Sequence, residues 1–202
     1  MSEARDDSQN AASVAEKVLL FWFADEPGSK ESMLLSRWFF PTPEFDLLCR
    51  TRFLTSYEDA AHGRLEHWKN DPRSCLALIL LLDQFPRNMF RGTARAFETD
   101  AKARELCRHS IESGFDRELS PLMRMFLYLP LEHSENIDDQ LESVRLCRAL
   151  VAENHDYLEI CEYAEQHLEI VRRFGRFPGR NIALGRESTQ EEINFLKDQT
   201  RK

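Results

Sequence analysis

Leu76-Ala77-Leu78-Ile79-Leu80-Leu81-Leu82-Asp83-Gln84-Phe85-Pro86-Arg87-Asn88-Met89-Phe90-Arg91 is the stretch that decides the fold class of this chain. It follows Asp71-Pro72, a helix start with proline at the first helical position. A helix that is apolar on every side is normally buried, so other helices must surround it. The apolar run from Cys75 to Leu82 is far too short to cross a bilayer. Working outward, the same helical punctuation recurs. Val14, Val18, Phe21 and Trp22 fall on one helical face. Thr42-Pro43-Glu44 opens a helix that should stop near Gly63, and Thr99 to Gly114 reads as another with Gly114 just past its end. Ser120-Pro121 opens a short helix expected to end before Pro130. Residues 135–155 and 157–174 are two longer amphipathic stretches joined around His155-Asp156. Thr189 with Glu192 offers a capping box for a last helix through Phe195 and Leu196.

Only seven glycines are present, and no alternating Val/Ile/Thr segment reads as a strand. The expectation is an all-α protein of about eight or nine antiparallel helices joined by short turns, with residues 11–202 as one domain. Residues 1–10 lack apolar periodicity and are expected to be disordered.

The net charge of −8 argues against nucleic acid as the main partner, and no segment predicts a membrane span. Nothing in the pattern specifies an oligomeric state. Five cysteines, odd in number and without CxxC spacing, behind a polar start, predict free core thiols in a cytoplasmic protein. Six lysines among 27 basic side chains leave 21 arginines, a bias that suits bidentate pairing with carboxylate or phosphate and that base composition also produces.

Three polar segments adjoin the apolar helices. In the first, Asp83 and Gln84 close the apolar helix, with Arg87, Asn88 and Arg91 beyond Pro86, which should break the helical face. They either tie down a proline turn or touch a ligand. In the second, Glu132-His133-Ser134-Glu135, two carboxylates flank an imidazole beside Pro130. That suits a general base tuned by neighbouring charge; alternatively the carboxylates are counter-ions for arginines. No HExxH or paired Cys/His spacing occurs, so neither a metal nor a cofactor is predicted. In the third, Arg172-Arg173-Phe174-Gly175-Arg176-Phe177-Pro178-Gly179-Arg180-Asn181-Ile182-Ala183-Leu184-Gly185-Arg186, five arginines carry no acidic residue between them. The approach helix puts Tyr163, His167, Ile170 and Phe174 on one face, near Arg173. The turn at Phe177-Pro178-Gly179 should display Arg176 and Arg180. This island is a clamp for an anion, a basic loop facing water, or one half of internal ion pairs.

The strings Leu82 to Thr93, Leu129 to Glu135, Arg173 to Pro178 and Arg180-Asn181 through Leu184-Gly185-Arg186 resemble the mainly bacterial family catalogued as domain of unknown function 924. The similarity also takes in Leu20-Phe21-Trp22-Phe23 and Arg37-Trp38-Phe39, so it covers nearly the whole chain. It implies an all-helical, tetratricopeptide-like array and no particular reaction. The family usually has a histidine between the proline and arginine of Phe-Pro-x-Arg-Asn. Gly179 stands there in this chain, which implies a supporting role for that position.

Two functions compete. One is a pocket for a small carboxylate or phosphate, held by Gln84, Arg87, Asn88, Arg91, His167, Arg173, Arg176, Arg180 and Asn181. In its catalytic form His133, polarised by Glu132 or Glu135 and accompanied by Asp83, moves a proton without a cofactor. The other is a helical interaction module binding acidic peptides. The chain has no Gly-rich phosphate loop and no nucleophile elbow, which argues against nucleotide hydrolysis and serine-type acyl transfer.

Overall fold

A computed structural model describes residues 14–23, 38 and 41–199. The disorder expected of residues 1–10 lies outside the described residues, as do Arg37 and Phe39. Among the described residues there are eight α-helices and no strand. They are α1 (14–23), α2 (Pro43–Ala61), α3 (Pro72–Met89), α4 (Asp100–Glu112), α5 (Pro121–Glu132), α6 (Ile137–Glu153), α7 (Leu158–Phe174) and α8 (Gln190–Gln199). Short 3-10 turns lie between several of them, including Pro178–Arg180. The fold class is all-α, as the apolar run requires.

The chain divides into two compact units, the division falling within α5. The first holds residues 1–91 and 95–127, the second residues 92–94 and 128–202. In the first, α3 packs against α2 and α4. Its residues Cys75 through Asp83 are all buried, which is the burial expected of a helix apolar all round. Aromatic rings fill the space beside it. Trp22 lies 5.2 Å from Phe85 and 5.7 Å, edge-on, from Phe126, while Trp38 meets Phe126 at 4.7 Å. Edge-to-face contacts of this kind add about 0.5–1.5 kcal/mol each beyond their buried area. In the second unit α6 and α7 pack through Val144, Cys147, Cys161, Ala164 and Leu168.

The start signals work as their chemistry demands. The Thr42 hydroxyl accepts the Phe45 N–H at 3.3 Å, and Asp71 accepts from Arg73 N–H and Ser74 N–H at 3.1 and 3.0 Å. The capping box of α8 closes both ways. Glu192 N–H donates to Thr189 Oγ1 at 3.2 Å, and Thr189 N–H donates to Glu192 Oε2 at 2.7 Å. Gly175 ends α7 at φ +68°, a conformation glycine adopts at little cost, with its N–H on Val171 O at 2.8 Å.

Both internal prolines are corrections to the sequence expectation, because α3 continues through Pro86 and α5 through Pro130. Proline has no N–H for the carbonyl four residues back. At Pro86 that carbonyl is Leu82 O, and it accepts the Thr99 hydroxyl at 2.5 Å instead. A side chain from the start of α4 therefore replaces the missing backbone donor. Pro130 sits in the last turn of α5, and the ladder resumes directly, with His133 N–H on Leu129 O at 2.9 Å.

Candidate functional site

Of the residues singled out from sequence, Asp83, Gln84, Arg87, Asn88 and Arg91 belong to the first unit. Glu132, His133, Glu135, His167, Arg173, Arg176, Arg180 and Asn181 belong to the second.

The first group anchors α3 to its neighbours. Arg87 grips Asp100 with two parallel bonds, Nη1 to Oδ1 at 2.9 Å and Nη2 to Oδ2 at 3.0 Å, and its Nη1 lies 3.2 Å from Asp83 Oδ1. Burial works against the guanidinium charge, but Asp83 and Asp100 together hold its pKa above the ordinary value. Gln84 Nε2 donates to Asp83 Oδ2 at 2.6 Å. Asp46 on α2 accepts from Asn88 Nδ2 at 2.8 Å and from Arg91 Nε and Nη2 at 2.9 Å each. These contacts tie the C-terminal part of α3 to α2 and to the start of α4.

In the second unit two polar clusters meet at Phe177. The larger one closes the arginine island. Arg176 pairs in bidentate fashion with Glu192, Nε to Oε1 at 2.7 Å and Nη2 to Oε2 at 2.9 Å, and donates to Glu187 O at 2.8 Å. Arg186 does the same with Glu135 at 2.7 and 3.0 Å, and its Nε donates to Asn181 Oδ1 at 3.0 Å. Asn181, fully buried, in turn donates to Ser188 Oγ at 3.0 Å. Hydrogen bonds from Arg176 and from Thr189 N–H hold the Glu192 carboxyl at a pKa of about 2. Burial by itself raises the Glu135 pKa, but Arg186 and the Phe177 N–H, at 2.8 Å from its Oε1, bring it below the usual carboxylate range. At the solvent side Arg172 pairs with Glu169 and Arg173 with Glu191, at 2.6 and 2.8 Å.

The smaller cluster contains an imidazole and a buried carboxylate. Glu132, 5% exposed at the end of α5, places Oε1 2.8 Å from His167 Nδ1 on α7. The two atoms are close but not aligned as a hydrogen bond, and Nδ1 has no hydrogen-bond partner among the described residues. Nδ1 is sealed from solvent although the His167 side chain is 32% exposed, so its accessible part lies on other atoms. The ring meets Phe177 edge-on at 5.2 Å, and the Arg180 guanidinium lies over the same phenyl ring at 4.4 Å. His133, half-buried, is the neighbour of Glu132 in sequence, but the carboxylate that sequence reading offered it faces His167. The second carboxylate, Glu135, is held by Arg186 and Phe177.

Arg186, Glu192 and Phe177 were absent from the sequence-predicted site. Phe177 is the hub: its amide, carbonyl and ring each serve a different neighbour, Arg186 Nη2 donating to its oxygen at 3.1 Å. Gly179 has no left-handed φ, and a Cβ there would meet no atom within 4 Å. Among the described residues no three His, Cys, Asp or Glu side chains form a set that could hold a metal ion. No described helix is long and apolar enough to cross a membrane.

Fold and contacts define an all-helical protein whose second unit neutralises most of its arginine island with its own carboxylates. The chain belongs to the family described as bacterial protein of unknown function, domain of unknown function 924, which matches residues 18–200. It is similar to a solved protein of unknown function from Agrobacterium tumefaciens, with 39% sequence identity over 93% of this chain and 99% of that one, at a TM-score of 0.81. No curated protein matches it.

Proposed function

We propose that the second unit binds a small molecule bearing a carboxylate or phosphate beside His167 and Arg180, and that His167 exchanges a proton with it. The reading rests on the buried Glu132 carboxylate 2.8 Å from His167 Nδ1. With Nδ1 sealed against the buried carboxylate, Nε2 is the ring nitrogen left to take or give the proton. Arg180, over the phenyl ring that His167 also touches, supplies the cation for the anionic group. Arg176 and Arg186 act as struts in this reading, since each already holds one carboxylate in bidentate fashion. The proton-transfer role passes from His133 to His167 because the buried carboxylate faces the latter.

Phosphate and citrate, each at about a hundred times its Kd, should raise the Tm of the intact chain by about 5–10 °C. Arg180→Ala should remove that rise while leaving the ligand-free Tm within about 2 °C, whereas His167→Ala should remove it and also lower the ligand-free Tm, because the buried Glu132 carboxylate loses the ring it faces. No rise with either anion, or a rise that survives both substitutions, overturns the proposal.

A further inference from the structure

The face of α7 turned away from α6 lines a groove of about 580 Å3, whose other wall is α8. Its floor is apolar: Ile170, Phe174 and Phe195, all half-buried. Its rim is acidic, made by Glu162, Glu165 and Glu169. Glu162 makes no ion pair among the described residues. Glu165 is shared with Arg148 and Glu169 with Arg172, each pair largely exposed and so weak and exchangeable. The rings already accept a cation. Arg173 lies 4.8 Å from the Phe174 centroid and 5.8 Å from that of Phe195.

We infer that this groove docks a basic amphipathic helix of a partner protein. From Glu162 to Phe174 the lined face of α7 is roughly 18 Å long, the length of a helix of about twelve residues. An incoming stripe of Leu or Phe at i, i+3, i+4 and i+7 would cover the floor, with Lys or Arg flanking it against the rim. The polarity is the reverse of the acidic peptide expected from the arginine-rich sequence, because most of those arginines are paired within the chain. A second copy is a poorer fit, since it would bring the same carboxylates and another net charge of −8. The inference is independent of any ligand at His167.

The test uses the full chain and two labelled helical peptides of about 14 residues with the same leucine stripe, one flanked by lysine and one by glutamate. Fluorescence anisotropy should show the lysine peptide binding at least about tenfold more tightly. The double variant Glu162→Lys/Gln166→Lys alters two exposed groove side chains and should keep the parent Tm. It should weaken the lysine peptide by about tenfold or more. Equal affinity for the two peptides, no binding of either, or indifference to the double variant overturns the inference. A dimer in light scattering that Glu162→Lys dissociates also overturns it, in favour of a second copy as the occupant.

Discussion

Glu192 carries two duties that are usually separate, a helix cap and an ion pair. Its carboxylate closes the capping box with Thr189 and accepts both arms of Arg176, while the residue is only 2% exposed. Its pKa is held at about 2 against an ordinary 4.5. A depressed carboxylate contributes its stability above the unfolded-state pKa and loses it as pH falls toward the folded value. Stability should therefore decline from pH 4.5 toward pH 2 in part through this group, and Glu192→Gln should lower the neutral-pH Tm while flattening that decline. Thermal melts across the interval check it; an unchanged acid slope in the variant would show that the carboxylate titrates normally. The Glu192–Arg176 pairing was only half legible in sequence. The capping box is a local pattern, four residues long, and could be read directly. That the same carboxylate meets an arginine sixteen residues earlier depends on how the intervening turn folds, and no local spacing encodes it.

At the scale of elements, what could be read from sequence was whatever depends on a few neighbouring residues. Thr42-Pro43, Asp71-Pro72 and Gly175 set helix ends where expected because capping and φ preferences act within one turn. The interior prolines run against the sequence expectation for the converse reason: whether a helix tolerates proline depends on which group satisfies the carbonyl left over. For α3 the answer lies in another helix, where Thr99, nearly sealed from solvent, gives its hydroxyl to Leu82 O. Thr99→Val should leave that carbonyl unpaired in the interior and destabilise the protein by about 1–3 kcal/mol. Thr99→Ser, which keeps the hydroxyl, should lose much less. Urea unfolding of both variants distinguishes the two cases, and equal losses would assign the effect to packing. The candidate site was legible in its ingredients but not in its pairings. Glu132 and His167 are 35 positions apart, and only the packed helices choose His167 over the adjacent His133.

Across the whole molecule all five cysteines are buried and free. Burial raises the Cys75 thiol to about 11, and it likewise pushes Cys147 and Cys161 upward. The native protein should therefore react with an aromatic disulfide reagent at none of its thiols within minutes, and at all five once unfolded in guanidinium. Prompt labelling of one native equivalent would reveal an accessible thiolate. The composition pointed to this outcome, since an odd number of cysteines without paired spacing in a helical chain is best read as core filling. The Pro86 arrangement reaches furthest into the molecule's history. Positions 86 and 99 are bound by a single missing hydrogen atom, so drift at one changes what is tolerable at the other. Descendants that replace the proline regain an amide for the carbonyl and release the hydroxyl from selection, whereas those that keep the proline should retain serine or threonine thirteen residues later.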